Sequence, residues 1–158
     1  MGIIWVMLLS YYDNEKSGPA IIFIHGTASS NALWEQQYKL LNRTNFRVIG
    51  LDLRGHGNSS NPGGICTIDE HLKDLKETVE YLKIKGSIIF VGHSFGAVLS
   101  IKFAEKYPKL TRKLMLVSLP PKVPRLACLY YKWFLGKPAK YLKKKFQWTS
   151  KFPILKHI

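Results

Sequence analysis

The sequence predicts an α/β protein with a mostly parallel sheet and flanking helices, on three observations. Ala20–Ile24 and Ser87–Val91 are short apolar runs without polar alternation, the pattern of strands buried on both faces. Between them, Ile68, Leu72, Leu75, Val79 and Leu82 recur at helical spacing with charges on the other side, as in a helix packed on a sheet. Strand-like and helix-like segments alternate along the chain, the order of right-handed strand–helix–strand crossovers.

Taken in order, Gly2–Tyr12 is rich in Ile, Val, Leu, Trp and Tyr and reads as a strand, followed by the polar break Asp13–Pro19 with its Gly-Pro turn signal. Ala20–Ile24 is the next strand and opens at His25-Gly26 into a loop rich in Gly, Thr and Ser. Ala32–Leu41 places Leu33, Trp34, Tyr38 and Leu41 at a helical period. Phe46–Leu53 reads as a strand that ends in Asp52-Leu53-Arg54-Gly55-His56-Gly57 and a polar loop to Cys66. Ile68–Leu82 is the amphipathic helix and Ser87–Val91 a buried strand. Phe95–Lys106 is a helix ended by Tyr107-Pro108, and Lys113–Ser118 is a further strand. From Leu119 the character changes, with Pro120, Pro121 and Pro124 ahead of a basic, aromatic stretch. The expected division is a core over 1–118 and a helical, cap-like segment over 119–158.

A hydrophobic content of 46%, with 13% aromatic residues, suits one folded unit with a core. The formal net charge of +14 is unevenly placed. Through Ser94, nine basic residues balance nine acids, whereas the remainder holds fifteen basic residues and the single acid Glu105. The charge excess therefore belongs to the last third of the chain. Cys66 and Cys128 lie far apart with no CxxC or Cys/His cluster, which indicates free thiols in a reducing compartment rather than a zinc site or disulfide framework. The apolar start Gly2–Leu9 has no basic leader and is shorter than the ~20 residues a membrane span needs. The expected location is cytoplasmic, with peripheral membrane contact as an extension, and neither metal nor organic cofactor is expected.

Chemistry concentrates at Val91-Gly92-His93-Ser94-Phe95-Gly96. A serine is a poor nucleophile at a random position, but a strand running straight into a helix can expose it on a sharp turn. Such a turn crowds its flanks, and Gly92 and Gly96 are the small residues it needs. The Phe95 N–H, at the start of the following helix, can donate to a developing oxyanion. A second donor is expected from His25-Gly26-Thr27, with the Thr27 N–H the candidate and Ala28 the alternative. His93 is expected to pack, and His25 and His56 to hydrogen-bond the backbone of their loops. His71 is expected on the solvated side of its helix, and Asp52 and Arg54 as a buried carboxylate–guanidinium pair.

GHSFG at 92–96, HGT at 25–27 and DLRGHGNS at 52–59 together resemble the α/β-hydrolase superfamily, in its group of single-domain esterase-like members, across about Trp5 to Ser118. The resemblance implies Ser94 as nucleophile and the N–H groups of Phe95 and Thr27 as oxyanion hole. His25, Gly26, Ala28 and His93 then line the binding site. It also implies a serine hydrolase acting on an ester-like carbonyl of a small acyl substrate through an acyl-enzyme. In this family the catalytic acid and His follow the serine. Here only Glu105 and His157 do so. Glu105 is about 16 Å from the serine at 1.5 Å of rise per helical residue, and His157 has neither an acid nor a strand before it. The expectation is an incomplete α/β-hydrolase fold, truncated after the strand at 113–118 and the start of a cap, and inactive alone. Its last strand would be an apolar edge open to self-association or a partner.

Beyond that strand, Leu126, Leu129, Tyr130, Trp133 and Phe134 form one helical stripe, read first as a cap helix hiding its apolar side. Lys137, Lys140, Lys143, Lys144 and Lys145 beside Phe146 and Trp148 suit an anionic membrane surface. The alternative function is thus a non-catalytic remnant that binds a membrane or protein partner through this segment. Nucleic acid is not expected as a partner, since no recognition module is present.

Overall fold

The computed structural model describes residues 8–63 and 66–119. The chain forms β1 (Tyr11–Asp13), β2 (Ala20–Ile24), α1 (Glu35–Leu41), β3 (Arg47–Leu51), α2 (Ile68–Tyr81), β4 (Ile88–His93), α3 (Phe95–Lys106) and β5 (Thr111–Val117). The strands make one five-stranded sheet in the order β1-β3-β2-β4-β5. β1 runs antiparallel to β3, and every other pairing is parallel. The sequence-based fold class is therefore the observed one.

Alternation along β2 explains the two layers. Ile22 and Ile24 join Ile49, Leu51 and Phe90 beneath Leu72, Leu75 and Val79 of α2 and Leu99 and Phe103 of α3. Ile21 and Phe23 turn the other way and meet Trp34 and Tyr38, with Val48 and Val91. A strand buried on both faces has no polar side to show, which is why Ala20–Ile24 reads as an unbroken apolar run. α2 starts at a reciprocal cap: the Glu70 N–H donates to Thr67 Oγ1 at 3.2 Å, and the Thr67 N–H donates to Glu70 Oε2 at 2.7 Å.

Four expectations need correction. The described part of Gly2–Tyr12 is not a strand until Tyr11, because its backbone is committed elsewhere. The Leu9 N–H donates to Thr78 Oγ1 and the Ser10 N–H to Ser59 Oγ, so neither is free for a ladder. The helix predicted from Ala32 begins as a 3₁₀ turn over Asn31–Trp34 and is α-helical only from Glu35, which turns Leu33 outward. His71 is buried rather than solvated. Arg54 pairs not with Asp52 but with Asp74 of α2, by Nε–Oδ2 and Nη2–Oδ1 bonds of 2.6 and 2.7 Å.

β5 pairs with β4 along its whole length, and no described strand takes its other edge. Leu114, Met115, Leu116 and Val117 are all exposed. Among the described residues no helix is long and apolar enough to cross a membrane. The cap-like segment, its Leu126–Phe134 stripe, its lysines, Cys128 and His157 lie outside the described residues.

Candidate active site

Ser94 sits at the junction of β4 and α3 with φ 51° and ψ −113°, a conformation rarely open to a residue with a side chain. Its neighbours hold it there. Its N–H donates to the Val117 carbonyl at the end of β5 at 2.9 Å, and its carbonyl accepts from the Ala97 and Val98 N–H groups at 3.0 and 3.3 Å. The side chain takes no part in capping α3.

Both flanking glycines are required by backbone contact. A Cβ on Gly92 would lie 2.4 Å from the Gly96 carbonyl oxygen, and one on Gly96 would lie 2.2 Å from that of Ile24. The turn is therefore pressed against β2 on one side and against its own helix on the other. This closeness brings the HGT loop to the serine. A Cβ on Gly26 would stand 3.1 Å from both Ser94 Cβ and His93 Nδ1. Ser94, Phe95 and His93 are half-buried, while Thr27 and Ala28 are exposed.

The candidate histidines separate by their bonds. His25 is fully buried, its Nδ1 donates to the Gly26 carbonyl at 2.6 Å, and its Nε2 accepts from the Leu53 N–H at 3.0 Å. Burial holds this imidazole below its ordinary basicity, against the opposing pull of the Gly26 carbonyl. His56 donates from Nδ1 to the Arg54 carbonyl at 3.0 Å and accepts the Ala28 N–H on Nε2 at 3.3 Å. The Ala28 N–H is thus occupied, whereas the N–H groups of Thr27 and Phe95 have no partner among the described residues. Both histidines bind loop backbone, as their positions in the sequence suggest.

His71, which sequence reading places on the solvated side, and Asp74, which it does not single out, are both buried. The His71 ring stands edge-on to Phe95 at 5.2 Å, with Cys66 Sγ 3.1 Å from Nε2 and no described partner on Nδ1. Burial and the Arg54 guanidinium hold it below its ordinary basicity. Arg54 spans the gap between the loop after β3 and α2, reaching Glu70 as well as Asp74. Asp52 instead accepts the Asn31 N–H at 2.7 Å and the Asn58 N–H at 3.0 Å, tying the loops after β2 and β3 together. The signal that could have found Asp74 is its spacing, three residues after His71 and one before Leu75, on the inward face of α2. Among the described residues no three His, Cys, Asp or Glu side chains are grouped to hold a metal ion.

This arrangement, a strained serine between a parallel strand and a helix beside an HGT loop, coincides with a family-level match. The α/β hydrolase fold model matches residues 19–150. The chain belongs to the α/β-hydrolase fold family. It is 32% identical over 140 residues to the Arabidopsis thaliana protein named Probable lysophospholipase BODYGUARD 2, a match covering 84% of this chain and 28% of that protein. It is 35% identical over 108 residues to 2-(acetamidomethylene)succinate hydrolase of Mesorhizobium japonicum, covering 68% of this chain and 38% of the relative. Among solved structures, a thermophilic esterase from Thermogutta terrifontis superposes with a TM-score of 0.67 at 28% identity, over 85% of this chain and 52% of the esterase. The chain therefore spans well under half the length of these two curated relatives.

Proposed function

We propose that this α/β-hydrolase chain carries the nucleophile and the oxyanion donors of a serine hydrolase acting on an ester-like carbonyl. The observation that supports it most is Ser94 at φ 51°, with its hydroxyl free of capping duty and Gly26 beside its Cβ. Holding a non-glycine residue there costs about 1–3 kcal/mol, and such strain is kept where it presents a side chain.

In the reaction so read, Ser94 Oγ attacks the carbonyl carbon and the charge gathering on oxygen is met by the N–H groups of Phe95 and Thr27. Loss of one such donor costs about 3 kcal/mol of transition-state stabilisation. Collapse expels the alcohol and leaves an acyl group on Ser94, which water then removes by a second attack through the same donors. Each attack needs a base for the incoming proton. His25 and His56 have both ring nitrogens engaged, and His71 Nε2 faces Cys66. None of these three imidazoles is therefore assigned as that base. Relatives named lysophospholipase, hydrolase and esterase make an acyl ester or related carbonyl the substrate class proposed.

A fluorophosphonate probe tests this directly. The chain is expected to label weakly at Ser94, since oxyanion donors alone keep a residual fraction of such catalysis, and Ser94→Ala is expected not to label. Equal signal from both chains, or none from either, refutes the reading. The competing non-catalytic role of the basic segment predicts no labelling, and salt-sensitive sedimentation with anionic liposomes that is lost on replacing Lys143, Lys144 and Lys145.

A further inference from the structure

The loop that carries the Thr27 N–H is held by two imidazoles, and the role assigned to them rests on Ser94 being the nucleophile. In a planar trans peptide the carbonyl and the next N–H point in opposite directions. Whatever grips the Gly26 carbonyl therefore also aims the Thr27 N–H, and His25 Nδ1 grips it at 2.6 Å. The following peptide is gripped too, because the Ala28 N–H donates to His56 Nε2 at 3.3 Å.

Both rings are anchored to one short stretch after β3. The Leu53 N–H donates to His25 Nε2, and His56 Nδ1 donates to the Arg54 carbonyl, each at 3.0 Å. The rings lie 5.2 Å apart, and Arg54 is itself fixed to α2 by Asp74. These partners dictate protonation, since a carbonyl only accepts and an amide N–H only donates. Each ring must carry its proton on Nδ1 and leave Nε2 bare. An Nε2–H tautomer or an imidazolium cannot make both bonds at either position.

We propose that His25 and His56 are positioning residues, a pair of Nδ1-protonated imidazoles that lock the two consecutive peptides at Thr27 and leave its N–H turned toward the serine. Neither acts as the base for Ser94. Their work is to keep one donor free and oriented before any substrate arrives, so that the oxyanion meets a fixed N–H rather than a mobile loop.

The test is nitrogen-15 NMR of the full chain at about pH 7.5, where neutral tautomers are distinguished by their ring-nitrogen shifts and two-bond couplings. Both rings are expected in the Nδ1–H form, with the Ala28 amide exchanging about tenfold more slowly than that of Thr27. His56→Gln, which can place an acceptor near the position of Nε2, is expected to keep the Ala28 protection. His56→Ala is expected to lose it and to broaden or split the Thr27 resonance while the amides of α3 stay unchanged. An Nε2–H tautomer or an imidazolium at either ring overturns the proposal, as does a His56→Ala chain with unaltered Thr27 and Ala28 amides.

Phenylboronic acid, which forms a tetrahedral adduct on an accessible serine hydroxyl, separates this proposal from the reading of Ser94. An adduct that shifts the Thr27 amide in the parent chain but not in His56→Ala supports the lock, and an adduct indifferent to His56 overturns it. Absence of any adduct counts against Ser94 as nucleophile, and the tautomers and amide exchange then still decide the lock.

Discussion

Replacing Ser94 by Gly removes the Cβ that makes φ 51°, ψ −113° unfavourable, and so measures what the turn costs the fold. A side chain in such a region costs about 1–3 kcal/mol. The hydroxyl offsets none of this by capping, because α3 begins without a side-chain bond from Ser94. Glycine adds back a cost of about 0.5–1 kcal/mol through the extra freedom of the unfolded chain. The net expectation for Ser94→Gly is stabilisation by about 1 kcal/mol. Ser94→Ala keeps the Cβ and loses only the oxygen, so its expected change is about zero, and the difference between the two variants isolates the strain.

Urea unfolding followed by tryptophan fluorescence provides the assay, with the buried Trp34 as a core reporter. For a slope of about 2 kcal/mol/M, 1 kcal/mol moves the midpoint up by roughly 0.5 M. Ser94→Gly at or below the midpoint of Ser94→Ala would refute the strain argument. It would also remove the main reason to regard this backbone as shaped around an exposed hydroxyl. A gain in stability together with loss of probe labelling would instead show the two properties in opposition at one residue.

The Arg54–Asp74 pair is almost wholly enclosed, with side-chain exposures of 10% and 2%, so Asp74→Leu leaves a buried guanidinium with only the more exposed Glu70 beside it and is expected to cost about 3 kcal/mol. Adding Arg54→Met is expected to recover most of that loss in denaturant unfolding, and a single variant costing under about 1 kcal/mol contradicts the pairing as an anchor. Acid should weaken the fold through His25 and His71, whose basicity burial holds below the ordinary value of 6.5. The unfolded chain takes up these protons first, so their contribution is complete above about 6.5 and is lost as the pH falls through the lowered values. His56 and Asp52 face His25, and Arg54, Asp74, His56 and Glu70 face His71; thermal melts from pH 7.5 to 5 should flatten in a His25→Asn, His71→Asn chain, and an unchanged slope refutes the assignment. At β5, Met115 is 60% exposed on a strand whose outer edge no described strand pairs, so Met115→Lys is expected to reduce self-association in sedimentation velocity. Identical association of both chains removes that edge as the cause.

The legible and illegible parts of the sequence divide by the range of the interactions. β2 and α3 begin and end where their patterns say they should, because an apolar run bounded by turn residues and a helix entered at Ser94 are set by neighbours in the chain. The serine turn was legible for the same reason. Gly92 and Gly96 are needed because a sharp strand–helix turn crowds its flanks: a Cβ on Gly92 would lie 2.4 Å from the Gly96 carbonyl oxygen. Periodicity, by contrast, assigns every polar residue of an amphipathic helix to solvent. It therefore misplaced His71 and left out Asp74, which are buried because Arg54, twenty positions before Asp74, arrives from the loop after β3.

The sequence names the Thr27 N–H with Ala28 as the alternative, and for a related reason motif spacing supplies no physical ground for that preference. The choice depends on whether an acceptor from elsewhere already holds one of two adjacent N–H groups, and that acceptor, His56 Nε2, is 28 residues from Ala28. Motif spacing can say that a donor loop and a serine turn share one end of a sheet. Only the contact between loops decides which N–H is left without a partner among the described residues, so the proposed assignment of Thr27 rests on His25 and His56, which touch no substrate in the reaction as proposed.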